Sequence, residues 1–251
     1  MCIRDSLYSS SQGAVAECNH VFIEGNNLKE RFENLEENSR FYIGEIGFGI
    51  GINFITTCMA WLNYVKQDQV LEFYSFDKYL FRLSDFRKLN DSYPELKEYI
   101  AELELNYPRN IRGVQKIPLF NGRIILNLIV GEIDNTQKYI KLMNNVDAWY
   151  LDGFSPSKNP DLWSLKLLKN IYKSCHEETT FSTYTSSGLV KNNLTESGFN
   201  HKRTEGFLDK RHMLKGKVVK VQKKNSLNTK VAIIGSGICL LYTSDAADDS
   251  L

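Results

Sequence analysis

The chain has 251 residues, 42% of them apolar and 24% charged, with a formal net charge of +1. This balance excludes a disordered or collagen-like chain and is enough for one large domain with a buried core. No apolar run approaches the roughly eighteen residues of a membrane span, and the scattered cysteines form neither a CxxC metal site nor a disulfide framework, which fits a reducing cytoplasm.

The two ends do not read as protein. MCIRDS (1–6) is a direct translation of ATGTGTATAAGAGACAG plus one base, and CLLYTSDAAD, from Cys239 onward, reads off the complementary strand. Both match the end of a transposase-based sequencing adapter, so 1–6 and 239–251 are set aside as adapter-derived. What remains carries 30 basic and 26 acidic residues, a net charge of +4, with Cys18, Cys58 and Cys175.

Between these ends strand and helix alternate. FYIGEI (41–46) is a buried strand running into glycines, and INFITTCMAWLNYV (52–65) has helical spacing. VLEFYSFD (70–77) is a second strand ending on an acid. Residues 80–105 read as two helices separated by SYP, because the residue before Pro94 is biased out of helix. GRIILNLIVGEI (122–133) is a long β-rich run, and VDAWYLD (146–152) is a strand with an acid at its last position. PDLWSLKLLKNIYKSC (160–175) has proline in a first turn and leucines at i, i+3 spacing, hence a helix. TTFSTYT (179–185) is a strand, a short helix lies near 187–197, and HKRTEGF with HMLKGKVVKVQ forms a terminal hairpin. The pattern predicts an α/β domain over 7–222, with a mostly parallel seven-stranded sheet and helices on both faces. Residues 223–229 read as a polar linker. Ligands of such sheets lie beyond the carboxyl ends of the strands, where Asp77, Glu132 and Asp152 fall.

GEIGFGIGINF (44–54) places Gly47, Gly49 and Gly51 between a strand and a helix. Missing side chains permit positive φ and close ligand approach, and free helix N–H groups favour a carboxylate or phosphate. Dinucleotide enzymes use related patterns. Here the order is E-x-G-x-G-x-G, and Glu45 ahead of the glycines suits a ligand with an ammonium group, such as S-adenosylmethionine, and repels a phosphate. A nicotinamide-dependent dehydrogenase is disfavoured on the same ground. Asp77 is placed to accept ribose hydroxyls, and Glu132 to accept from an adenine amino group.

DGFSPSKNPDLW (152–163) follows the fourth strand with a rigid, proline-containing loop. At these residues the chain resembles a known family, the methyltransferase (MnmD-like) domain of the bifunctional tRNA-modifying MnmC proteins. VFIEGNNLKERF, GEIGFGIGINF, YSFDKYLFRLSD, GRIILNLIVGEI, AWYLDGFSPSKNPDLW, FSTYTSSGLVKNNLTESGF and GFLDKRHMLKG match its pattern in order over nearly all of 18–216. The resemblance implies a class I, Rossmann-like methyltransferase fold. It also implies methyl transfer from S-adenosylmethionine to the primary amine of 5-aminomethyl-2-thiouridine at the tRNA wobble position. Asp152 is then the catalytic residue, accepting a hydrogen bond from the amine and taking up or relaying its proton. Cofactor contacts are expected from Glu45, Gly47, Phe48, Gly49, Gly51, Asn53, Asp77, Lys78 and Glu132. Substrate contacts are expected from Phe154, Pro156, Lys158, Asn159, Lys210 and Arg211, with Phe154 stacking on a flipped uridine. No metal is expected. KVAIIGSGI (230–238) resembles the start of a flavin-binding Rossmann domain, so FAD is expected only in a C-terminal oxidoreductase domain that stops here at its first strand and turn. The chain departs from the family at Asp77, a common Glu, at Glu132, a common Asp, and at Ile46, Ile50 and Ile52.

The segment from Lys202 to Lys224 has nine basic residues against Glu205 and Asp209, a pattern that suits an RNA backbone. Two further classes share parts of this pattern. A methyltransferase of small-molecule amines would have the same cofactor site, and a catalytically inactive RNA-binding module would keep only the basic segment. The residues set no oligomeric state.

Overall fold

The structure is a computed structural model that describes residues 11–66, 68–208 and 210–219. The linker at 223–229, the flavin-like segment at 230–238 and both adapter-like ends lie outside the described residues. The chain opens with α1 (Ser11–Cys18), a π-helical stretch (Asn19–Glu24) and α2 (Leu28–Glu33). Then come β1 (Arg40–Ile46), α3 (Ile52–Tyr64) and β2 (Val70–Asp77). The expected pair of helices over 80–105 is α4 (Leu83–Phe86), α5 (Leu89–Ser92), a 3-10 turn (Pro94–Leu96) and α6 (Lys97–Leu105). The break falls at Tyr93, the residue before Pro94, as the ring of proline requires.

β3 (Gly113–Leu119), β4 (Ile124–Val130), α7 (Ile133–Ile140) and β5 (Val146–Leu151) follow. A 3-10 turn (Pro160–Trp163) precedes α8 (Leu165–Lys173), so the expected single helix over 160–175 is interrupted at Ser164, which caps α8 by accepting from the Leu167 amide. β6 (Cys175–Thr183), α9 (Gly188–Ser197), β7 (Phe199–Glu205) and β8 (His212–Val218) complete the domain.

The described sheet has eight strands in the order β3-β4-β2-β1-β5-β6-β8-β7, one more than expected. The additional strand is β3, antiparallel on β4 at the sheet edge. Its Pro118 and alternating exposure are those of an edge strand, where a missing amide hydrogen is tolerated and no continuous apolar run is needed. Parallel pairing is confined to the five strands β4, β2, β1, β5 and β6, and the three outer pairings are antiparallel.

Apolar side chains cover both faces of the sheet. One core joins Ile43, Phe73 and Tyr150 to α1–α3 and α6 through residues such as Phe32, Phe54, Trp61 and Ile100. The other joins Ile46, Phe76 and Trp149 to Ile140 of α7, Leu168 of α8 and Leu194 of α9. Strands β1, β2 and β4 run outward in one direction, whereas β5 and β6 run outward in the other. The order therefore reverses between β1 and β5, and the crevice at their carboxyl ends is the place where such sheets bind ligands.

Candidate active site

Strand periodicity gathers the polar residues. Side chains two apart share a face, so Glu45 of β1 lies on the α3 side with Ile43, Ser75 and Asp77 of β2 with Phe73, and Asp152 beyond β5 with Tyr150. Register puts Glu45 beside Ser75 on one flank and Tyr150 on the other. Glu45 is wholly buried. Its Oε2 accepts from Ser75 Oγ at 2.5 Å and its Oε1 from Asn53 Nδ2 at 3.0 Å. The same Asn53 nitrogen donates to Asp152 Oδ2 at 2.7 Å.

The two acids titrate far from their ordinary range. Burial, reinforced by the charges of Asp152 and Asp77, pushes Glu45 up to about 8 against the hydrogen bonds from Ser75 and Asn53. Burial also pushes Asp152 up to about 7, with Glu17 adding to the rise while Asn53 and Lys210 oppose it. Perturbed carboxylates at a sheet switch point are characteristic of reacting or binding centres.

The three glycines serve different ends. Gly47 has φ +97°, and a Cβ there would lie 2.5 Å from the Asp152 carbonyl oxygen, so it lets β1's exit pack on the Asp152 segment. At Gly51 (φ +87°) the space is filled by the Phe48 ring. Only Gly49 (φ +56°) has no atom near the place of its Cβ. The expected room for a ligand against bare backbone is thus at Gly49. Its amide donates to Asp77 Oδ2 at 2.8 Å, while Tyr79 N donates to Asp77 Oδ1 at 3.2 Å. Burial raises Asp77 and these backbone donors oppose it. Gly51 starts α3 with no side-chain cap, which leaves the first helical amides facing the turn.

Other expected contacts fall differently. Phe48 is turned into the core near Phe54, so only its backbone remains for a ligand. Glu132 does not end a strand: β4 stops at Val130, and Glu132 precedes α7, where its Oε1 pairs with Lys78 Nζ at 2.6 Å. The two residues bracket the rim beside Asp77. Phe154 is half exposed, and its carbonyl accepts from Trp163 Nε1 at 2.7 Å. Pro156 is partly buried and Lys158 exposed; the Lys158 and Asn159 amides both donate to the Ser155 carbonyl.

Lys210 is not a free cation. It pairs with Glu17 of α1 and lies 4.4 Å from the Tyr184 ring centre, whereas Arg211 is exposed. Tyr184 in turn donates its hydroxyl hydrogen to the Gly153 carbonyl at 2.7 Å, next to Asp152. Sequence reasoning missed Glu17, Ser75 and Tyr184. Ser75 had one visible signal, a polar residue on the core side of an apolar strand.

Among the described residues no helix is long and apolar enough to cross a membrane, and no group of three or more His, Cys, Asp or Glu is placed to hold a metal ion. A cleft of about 510 Å³ lined by His20, Lys29, Met59 and Asn63 lies along the C-terminal half of α3, away from the glycine turn.

The S-adenosyl-L-methionine-dependent methyltransferase family profile matches residues 94–219, half of the chain. The chain belongs to this family. Similar proteins include the tRNA 5-methylaminomethyl-2-thiouridine biosynthesis bifunctional protein MnmC of Marinomonas sp. (strain MWYL1), 35% identical over 96% of this chain and 38% of its own length. The protein of that name from Marinobacter nauticus is 37% identical over 92% of this chain and 37% of its own length. The methyltransferase thus spans about two fifths of the relatives it matches. Among solved structures, MNMC2 from Aquifex aeolicus shares the fold, with a TM-score of 0.64 and 23% identity over 85% of this chain and 63% of that one.

An open backbone turn at Gly49, a carboxylate at Asp77 and uncapped amides at the start of α3 lie together at the switch point, a donor set whose chemistry fits the family's cofactor.

Proposed function

We propose that this methyltransferase acts on the primary amine of 5-aminomethyl-2-thiouridine at the tRNA wobble position, giving 5-methylaminomethyl-2-thiouridine. The observation that carries the reading is Asp152, set at the β1–β5 switch point and hydrogen-bonded to Asn53 beside the glycine turn. The names of the relatives support the substrate.

S-adenosylmethionine supplies an electrophilic methyl group on a sulfonium. The Gly49 turn and Asp77 would hold it, with the Lys78–Glu132 ion pair as the outer rim. Asp152 would accept a hydrogen bond from the neutral acceptor amine, aim its lone pair and receive the proton released as the C–N bond forms and the methyl–sulfur bond breaks, the neutral thioether leaving. An ammonium has no lone pair, so a carboxylate titrating near 7 suits this work at neutral pH. Orientation is the larger contribution, worth about 7–11 kcal/mol of barrier in well-aligned cases. Phe154, half exposed just after Asp152, is placed to stack on the base. Lys158, Arg211 and the lysines of β7 and β8 are the candidate phosphate contacts.

In this reading the enzyme works in the cytoplasm, and FAD belongs to a separate oxidoreductase domain; no described residue is assigned to it. The test is incubation of the chain and S-adenosylmethionine with tRNA carrying the aminomethyl base, followed by nucleoside mass spectrometry. The expected product is the methylaminomethyl nucleoside. Methylation of the free nucleoside or another small amine, with tRNA left unchanged, would overturn the reading.

A further inference from the structure

Asn53 lies between two acids of the site, the buried Glu45 and the partly buried Asp152. Its Nδ2 is 3.0 Å from Glu45 Oε1 and 2.7 Å from Asp152 Oδ2. A carboxamide nitrogen carries two hydrogens, so both are spent, one on each acid. The opposite amide orientation would aim an oxygen at the Asp152 carboxylate and is excluded by repulsion. The second oxygen of Glu45 is taken by Ser75. Asp152 Oδ1 accepts no hydrogen bond from the described residues, which leaves it for an incoming donor.

We propose that Asn53 is a positioning residue for Asp152: it holds Oδ2, keeps the carboxylate ionised beside Glu45, and so presents Oδ1 to the acceptor amine. The inference rests on the assignment of Asp152 as the group that receives the amine, and it gives Asn53 a task other than the cofactor contact expected from sequence. Of two carboxyl groups sharing one donor, only one ionises readily, and Glu45, with the higher titration, is the one that keeps its proton. The Asn53 donor lowers the cost of ionising Asp152, and a protonated Asp152 would have no capacity to take the amine's proton.

The groups around Asp152 are Glu45 of β1, Asn53 of α3, Glu17 and Cys18 of α1, Tyr184 after β6, and Lys210 between β7 and β8. Burial has the largest effect on Asp152 and raises it; the Asn53 hydrogen bond comes next and acts in the opposite direction. Removing that bond therefore moves the titration upward.

The test is a carbon-13 carboxyl titration of the full chain labelled at aspartate, with the Asp152 signal assigned through Asp152→Asn. In Asn53→Leu the Asp152 midpoint is expected to rise by roughly one pH unit. Adding Glu45→Gln should leave the rise in place, because Glu45 is already uncharged where Asp152 titrates. The acid limb of single-turnover methyl transfer to tRNA should move with the titration, while cofactor affinity by calorimetry stays unchanged. Should Asn53→Leu fail to fold, Asn53→Ala, which suits a helix and also removes the donor, gives the same readout. An unmoved Asp152 midpoint would overturn the inference, and a loss of cofactor affinity beside it would make Asn53 a cofactor ligand. If no variant, nor the wild type, methylates tRNA, the proposed substrate fails instead, and the titration alone decides whether Asn53 controls Asp152.

Discussion

Asp77 Oδ2 accepts the Gly49 amide at 2.8 Å, tying the end of β2 to the turn that leaves β1. One carboxylate thus shapes the glycine turn as well as flanking it. An acid at this position has two tasks, and the turn it shapes is the one with open space at its centre.

The glycines of that turn should separate stability from binding. Gly47→Ala would force a Cβ to 2.5 Å from the Asp152 carbonyl oxygen at φ +97°, so a loss of about 2–3 kcal/mol in unfolding free energy is expected from strain and clash. Gly49→Ala meets no neighbour and should cost about 1 kcal/mol, yet it intrudes where the cofactor would lie. Thermal melts and calorimetric titration with S-adenosylmethionine check this. Equal destabilisation by the two substitutions, with equal affinities, would contradict the division of roles.

Glu45 should make stability depend on pH. Its carboxyl titrates near 8 when folded, against a usual 4.5. Between these values the native chain holds a proton that the unfolded chain has released, so the stabilisation is complete below about 4.5 and is lost as pH rises through about 8. Glu45→Gln removes the titration and can still pair with Asn53 and Ser75. Its melting temperature relative to wild type should therefore climb between pH 5 and pH 9, by several degrees if the difference reaches a few kcal/mol. A constant offset across that range would show that Glu45 does not bind the proton.

Asp152→Asn is expected to slow methyl transfer by about 10²–10⁴-fold while cofactor affinity stays in place. The wild-type rate should fall as pH drops through about 7, where the carboxylate takes up a proton. The variant should lack that limb. Stopped single-turnover assays across the pH range provide the measurement, and an unchanged rate would remove Asp152 from the chemistry.

Register assigns the basic residues of the terminal hairpin to opposite faces. Lys202 is paired with Lys215, which in turn pairs with Ser182, and Lys217 pairs with Thr180. Thr180 and Ser182 stand beside Ala148 and Tyr150, so these three lysines share the face of Asp152. Arg203 lies on the other face. Replacing any of the three by alanine should weaken tRNA binding and reduce the slope of log affinity against log salt by about 1, whereas Arg203→Ala should leave the slope as it is. Filter binding across a salt series distinguishes the two groups, and a slope unaffected by all three lysines would place the RNA elsewhere.

Much of this protein was legible along the chain. The buried strands β1, β2, β4 and β5, the glycine turn, and Asp77 and Asp152 at or just beyond strand ends all follow from period-2 apolar runs that stop at turn residues, a local property of the polymer. β3 was hidden because an edge strand buries only one side and carries proline and lysine instead of an apolar run. GEI continues an apolar run and so predicts a strand through Glu132, although Gly131 at φ +149° ends it.

What the tertiary structure alone decided is which of these residues meet. Asn53 touches Asp152 across 99 positions and Tyr184 reaches Gly153 across 31. Phe48 turns inward, and Lys210 spends its charge on Glu17. Composition and periodicity report whether a side chain faces the core or the solvent. They carry no information on which partner waits there, because that depends on strand order, register and the packing of distant helices, all of which arise only when the whole sheet closes on its core.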